Sequence, residues 1–279
     1  MNAKPRIALM LSGLTRQWRR CLPSQLALLR DYPVDVFFYF WDTIDAKEKQ
    51  EIVDLLKPRA YAFAPPQDFS ALDSDPTINP DLINVPSRMF SQYTGWRNVG
   101  KLVEPYRNEY QLGMRSRADL QFVYTIDHII PMLKPNDILI PWWEEGKLLS
   151  DIFAIGAIEP ILYYHTLIDH VREYTKTRQF NSELMLTAHF EQRRDIHVYT
   201  DAAKYFFVRR PHMENYTVEQ AMLEDPGCNK WLDPEVVQAH SDYHQQQKGE
   251  EGALYVKDFR HVHLNKLVED VKQKLSEKK

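Results

Sequence analysis

The chain has 279 residues, 44% of them apolar and 27% charged, which is ordinary for a globular protein large enough to bury a sizeable core. A net charge of -4 leaves no basic footprint, so nucleic-acid binding through phosphate neutralisation is not expected as the main function. Only Cys21 and Cys228 occur, with no C-x-x-C pair, which points away from a disulfide framework or a structural zinc site and toward a reducing compartment.

The opening M-N-A-K-P-R-I-A-L-M-L-S-G carries an apolar run too short for a signal-peptide core or a bilayer span, so the mature chain is expected to start near Met1. Arg6 to Leu11 predicts a buried strand that Ser12-Gly13 closes. A helix follows over about Leu22–Leu29, then a second buried strand, V-D-V-F-F-Y-F-W-D at 34–42, that ends in an acid. Helix Lys47–Leu56 and strand Ala60–Phe63 continue the alternation, the pattern of a parallel sheet with crossover helices. From Ala64 to Pro86, five prolines with Asp, Ser and Asn predict a long surface loop, of the length used for lids and binding loops.

A helix over about Met89–Tyr110 leads into G-M-R-S-R-A-D-L-Q-F at 113–122. As a strand, this stretch puts Arg115, Arg117 and Asp119 on one face and Met114, Ser116 and Ala118 on the other. Taken locally it reads best as the solvated face of an edge strand, and alternatively as a polar site at a strand end. After a turn region at Pro131–Asp137, D-I-L-I-P-W-W and D-I-F-A-I-G-A predict strands. Helices are expected over Glu159–Glu173 and Ser182–Gln192, and late strands at I-H-V-Y-T and Y-F-F-V-R-R. Residues 240–252 read as a solvated loop, and Leu267, Val268, Val271 and Leu275 as one face of a docked terminal helix; contact with an anionic membrane surface is the lesser alternative.

Ligands of open α/β sheets bind beyond the carboxyl ends of the strands. Four polar groups fall at such ends: Ser12 to Arg16, Trp41-Asp42, Arg115 to Asp119, and Asp151. Ser12-Gly13 lets backbone amides approach a ligand, and Thr15, Arg16, Arg19 and Arg20 put donors just beyond. The segment is neither a Walker loop nor G-x-G-x-x-G.

In order along the chain, S-G-L-T-R, D-V-F-F-Y-F-W-D, S-Q-Y-T-G-W-R-N, G-M-R-S-R-A-D-L-Q-F, S-D-I-F-A-I-G-A and N-S-E-L-M-L-T-A-H-F resemble a group of bacterial and viral GT-A-type glycosyltransferases. In that group R-x-R-x-D stands where other GT-A enzymes carry D-x-D. The resemblance covers about residues 6–200 and implies an α/β, GT-A-like (Rossmann-like) fold, a mostly parallel sheet flanked by helices. It implies one domain over 1–279, with 64–86 a long loop and 211–279 a C-terminal extension. The implied activity moves a sugar from a nucleotide-sugar donor to a glycan or glycolipid acceptor, as in surface polysaccharide synthesis. With no apolar stretch long enough for a membrane anchor, the expected location is the cytoplasm or, alternatively, the inner face of a membrane.

On the same resemblance, Asp119 is expected to help position a divalent cation, manganese or magnesium, or the donor sugar, and Arg115 and Arg117 to sit near the diphosphate or the sugar hydroxyls. Leu120 and Gln121 follow Asp119, so one of the two usual carboxylates is missing, and cationic stabilisation by Arg16, Arg115 or Arg117 is the alternative to a metal. Asp151 and Glu183 match family positions for the acidic groups, one of them a general base for the acceptor hydroxyl. Ser12, Gly13, Arg16 and Gln92 complete the expected donor site, with Tyr93, Trp96 and Asn98 as contacts for the base of the nucleotide or, for the two aromatics, as helix packing. His261 and His263 share a face if extended and could lend a metal ligand, whereas His189 reads as a packed histidine. The rival reading is a non-catalytic carbohydrate- or nucleotide-binding protein on the same fold. A sulfo- or phosphotransferase is disfavoured because no phosphate-loop lysine follows the first strand.

Overall fold

The computed structural model describes residues 4–80, 85–122, 130–143, 148–199 and 205–207. The first half alternates as the apolar pattern requires: β1 (Ile7–Gly13), α1 (Trp18–Leu28), β2 (Val34–Trp41), α2 (Ala46–Leu56) and β3 (Ala60–Ala64). Next come α3 (Pro86–Val103), β4 (Leu112–Ser116), β5 (Leu120–Phe122), β6 (Asp137–Leu139), β7 (Trp142–Trp143), β8 (Leu148–Leu149) and β9 (Ala154–Ala157). The described part closes with α4 (Ile158–Tyr164), α5 (Val171–Tyr174), α6 (Ser182–Glu191), β10 (His197–Tyr199) and β11 (Tyr205–Phe207).

Seven strands form one sheet in the order β10-β6-β9-β4-β1-β2-β3. All its pairings are parallel except those of β9, which runs antiparallel to both β4 and β6. The mostly parallel α/β sheet expected from the sequence is therefore present. Two short antiparallel pairs, β5 with β11 and β7 with β8, stand apart from it.

β1 lies inside the sheet, between β4 and β2, and is buried on both faces, so its residues read as a continuous apolar run rather than an alternation. Ala8 and Met10 pack in one layer with Tyr93, Trp96 and Ile161, while Ile7, Leu9 and Leu11 pack in the other with Leu22, Phe38 and Ile52. Each fully buried Leu or Met contributes roughly 2 kcal/mol relative to exposure. Gly156 permits the one reversed strand: a Cβ there would lie 2.6 Å from the Asp137 carbonyl oxygen and 2.7 Å from Ile138 Cα.

Several expectations need adjustment. α1 begins at Trp18, before the expected Leu22, and the helix expected over Glu159–Glu173 breaks into α4, a 3-10 turn at Leu167–Asp169 and α5. The helix expected to reach Tyr110 is α-helical only to Val103 and tightens into a 3-10 segment over Glu104–Glu109, with Pro105 in its first turn. The Pro-rich segment is pinned where it is described. Asp73 accepts from the Ser87 backbone N–H and hydroxyl at 2.8 Å each, Ile78 is buried, and Pro80 bridges Phe180. Among the described residues no helix is long and apolar enough to cross a membrane. The solvated loop at 240–252, the terminal helix, the extension 211–279 and Cys228 lie outside the described residues.

Candidate functional site

The carboxyl ends of β1, β2 and β4 form one edge of the sheet, and β4 follows β1 on the side opposite β2 and β3. The order thus switches between β1 and β4, the kind of place where ligands of open α/β sheets bind. β9 runs the other way, with Ala154 beside Arg115, so Asp151 just before it reaches the same edge. A reversed strand brings a residue from its amino end to the carboxyl edge.

At the end of β1, Ser12 is buried and Gly13 takes φ 105°, a conformation that excludes most side chains. α3 crosses closely there: a Cβ on Gly95 would stand 3.6 Å from Ser12 Cβ. Gln17, at φ 55°, starts α1 without a side-chain cap, and Arg16 is exposed. Arg19, expected among the donors beside it, turns to α2 and pairs with Glu48 at 2.7 Å and Glu51 at 2.6 Å. Asp42, at the end of β2, pairs with Lys49 at 2.6 Å.

β4 is interior, flanked by β1 and β9, which excludes the edge-strand reading. The strand stops at Ser116, so Arg115, Arg117 and Asp119 do not share a face. Arg115 is 1% exposed, its guanidinium carbon 4.7 Å from the Trp96 ring and 5.7 Å from that of Tyr164. Its aromatic partners belong to the layer that α3 packs on that face of the sheet. Trp96 and Tyr93 are equally buried, which makes them core residues rather than contacts for a nucleotide base.

Arg117 and Asp119 lie in the turn after β4 and form a fork, Nε to Oδ1 at 2.8 Å and Nη2 to Oδ2 at 2.9 Å. Gln25 of α1 fixes this turn by donating from Nε2 to the carbonyls of Arg117 at 2.7 Å and Leu120 at 2.9 Å. Asp119 is buried and both its oxygens accept from Arg117. Among the described residues no group of three or more His, Cys, Asp or Glu side chains gathers to hold an ion. The described residues therefore do not fit a resident divalent cation on Asp119. His261 and His263 lie outside the described residues.

The other carboxylates gather around α6. Gln92 Nε2 and Ser182 Oγ both donate to Oδ2 of Asp151, each at 2.5 Å. Glu183 follows Ser182 in the first turn of α6 and is only partly buried, and both carboxylates act electrostatically on the Tyr93 phenol. Burial, foremost, and these two negative charges hold that phenol well above its ordinary range, against the Ser182 hydroxyl, which lowers it. The structure thus joins Gln92, Ser182 and Asp151 by hydrogen bonds, with Glu183 next in the chain to Ser182, and places Ser12 and Gly13 beneath α3. Ser182 and Gln25 were missed from sequence. Ser182 had one usable signal, a serine just inside a helix that Asn181 already caps.

His189 is fully buried as expected: Nδ1 lies 3.0 Å from the Tyr174 hydroxyl and the ring stacks on Tyr163 at 4.0 Å. Burial lowers its pKa to about 4. His165 is likewise lowered to about 3, mainly by burial, with its Nδ1 2.7 Å from the Ile161 carbonyl.

No family model and no curated relative matches the sequence. Solved structures do. The apo-form glycosyltransferase GlyE of Streptococcus pneumoniae TIGR4 is 14% identical over 68% of this chain and 44% of its own, at a TM-score of 0.39, so this chain spans less than half its length. The galactosyltransferase LgtC, in complex with donor and acceptor sugar analogs, is 11% identical over 66% of this chain and 70% of its own, at a TM-score of 0.44. Mouse xyloside xylosyltransferase 1 is 12% identical over 69% of this chain and 84% of its own, at a TM-score of 0.38.

Proposed function

We propose that the chain is a GT-A-like glycosyltransferase that moves a sugar from a nucleotide-sugar donor to a glycan or glycolipid acceptor. The observation that carries this reading is the meeting at one carboxyl edge of the Ser12-Gly13 turn, the Arg117–Asp119 turn and the Asp151–Glu183 cluster, around a topological switch point. Backbone N–H groups at the Ser12-Gly13 turn, with the exposed Arg16 three residues on, suit a diphosphate. The positive charge of Arg16 stabilises the negative charge that develops on the leaving group. In the transfer, the acceptor hydroxyl oxygen bonds to the anomeric carbon as the bond to the diphosphate oxygen breaks. The diphosphate leaves with the electron pair, and a carboxylate, Asp151 or Glu183, takes the hydroxyl proton.

Arg117 is balanced by Asp119, so the charge that meets the leaving group is assigned to Arg16, and no step is assigned to a metal ion. On the same reading the chain is one catalytic domain with residues 211–279 as its extension, acting in the cytoplasm or at the inner face of a membrane. The locked Asp119 also favours the second reading, a carbohydrate- or nucleotide-binding protein without turnover. Incubation with UDP-, GDP-, CDP- and dTDP-sugars, followed by assay of released nucleoside diphosphate, separates the two. Turnover of at least one donor is expected; binding without release establishes the non-catalytic reading.

A further inference from the structure

Ser182 has a side chain whose obvious local use is already taken. The α6 N-terminus is capped by Asn181, whose side chain accepts from the Leu184 backbone N–H at 3.0 Å. The Ser182 hydroxyl, 2% exposed, donates instead to a residue 31 positions away, Asp151 Oδ2 at 2.5 Å. Gln92, from α3, donates to the same oxygen. Two elements thus converge on one carboxylate oxygen, which fixes the rotation of the carboxyl group about its Cβ–Cγ bond.

The framework around this contact is rigid at both ends. Just before Ser182, Phe180 is fully buried, stacks on Phe90 and donates its N–H to the Asn79 carbonyl at 2.8 Å. One turn beyond, Thr187 Oγ1 accepts from the Leu149 N–H at 3.1 Å, which ties α6 to β8 two residues before Asp151. Helix and carboxylate are therefore held in fixed register by contacts on either side.

We infer that Ser182 is a positioning residue for the proposed transfer: with Gln92 it clamps Asp151 through Oδ2 so that the carboxylate meets the donor or acceptor sugar in one orientation. This rests on the transferase reading with Asp151 as a working carboxylate. Misplacement of a reacting group by about 1 Å costs on the order of 100-fold in rate. Ser182→Ala should accordingly lower kcat roughly 10- to 100-fold, with the KM for donor changed by less than about threefold. Ser182→Thr, which keeps the hydroxyl, should restore most of the activity.

The decisive arm is a double-mutant cycle. In an Asp151→Asn background, Ser182→Ala should have almost no further effect on kcat, because the group it positions is already disabled. A merely structural serine would cost the same in both backgrounds and would lower the melting temperature, which is measured alongside. Wild-type turnover with an unaffected Ser182→Ala variant, or additive losses, overturns the inference alone. Absence of turnover in the wild type overturns the transferase reading, and the inference with it.

Discussion

Replacing Asp119 with alanine probes the turn that closes β4. The perturbation removes the acceptor of two charge-assisted bonds, at 2.8 and 2.9 Å, from a carboxylate whose side chain is 3% exposed. Breaking a fully buried pair costs about 3–5 kcal/mol. The Arg117 side chain is 20% exposed, however, so water recovers part of its solvation, and a loss of about 2–3 kcal/mol is the better figure. At about 2–3 °C per kcal/mol for a chain of this size, the melting temperature should fall by about 4–9 °C.

Denaturant unfolding of Asp119→Ala, Arg117→Ala and the double variant gives the coupling directly. The double variant should be less destabilised than the sum of the singles by about 1–2 kcal/mol, since neither leaves the other stranded. Donor turnover by Asp119→Ala, measured well below its melting temperature, should fall to background because the turn at this strand end loses its fork. Additive stabilities would show that the fork contributes nothing, and full activity in Asp119→Ala would refute the role given to this turn.

Lowering the pH tests the buried histidine. An unfolded histidine takes up its proton near pH 6.5, but His189 in the fold does so only near 4, so its contribution is fully present above about 6.5 and is lost as pH falls toward 4. The loss is on the order of 3 kcal/mol, and urea titrations from pH 7 to 4.5 should show a shallower decline in His189→Gln than in wild type; equal slopes would contradict the burial of His189. Gly156→Ala should destabilise by about 3 kcal/mol through collision with the β6 backbone, and a variant that unfolds at wild-type denaturant concentration would contradict the packing of β9 against β6.

The fold was legible wherever a strand was long, buried and bounded by turn residues. β1, β2 and β3 were placed within two residues because both faces are apolar and the crossover helices carry a clear period. β9 was recognised as a strand, but its antiparallel direction was not, since direction is set by the sheet around Gly156 and leaves no local pattern. The face shared by Arg115, Arg117 and Asp119 failed because period-two reasoning assumes an unbroken strand. Gln25, which bonds two carbonyls of the turn from 92 and 95 positions away, helps hold it out of that geometry. Asp151 and Glu183 could be singled out from sequence because acids beside strand and helix ends stand out. Ser182 and Gln25 act through tertiary contacts that a single sequence does not encode locally. The burial of Arg115, its guanidinium carbon beside the Trp96 and Tyr164 rings, is likewise set by tertiary packing that its charge does not announce in the sequence.

Ligand-dependent melting tests the proposed nucleoside-diphosphate site at the β1–β4 switch point. UDP, GDP, CDP and dTDP are each added to the full chain, with manganese and with EDTA. A nucleotide at 100 times its Kd stabilises by about 2.7 kcal/mol, or about 6 °C here, and one member of the panel should do so even with EDTA present. No shift from any nucleotide in either condition would contradict the claim.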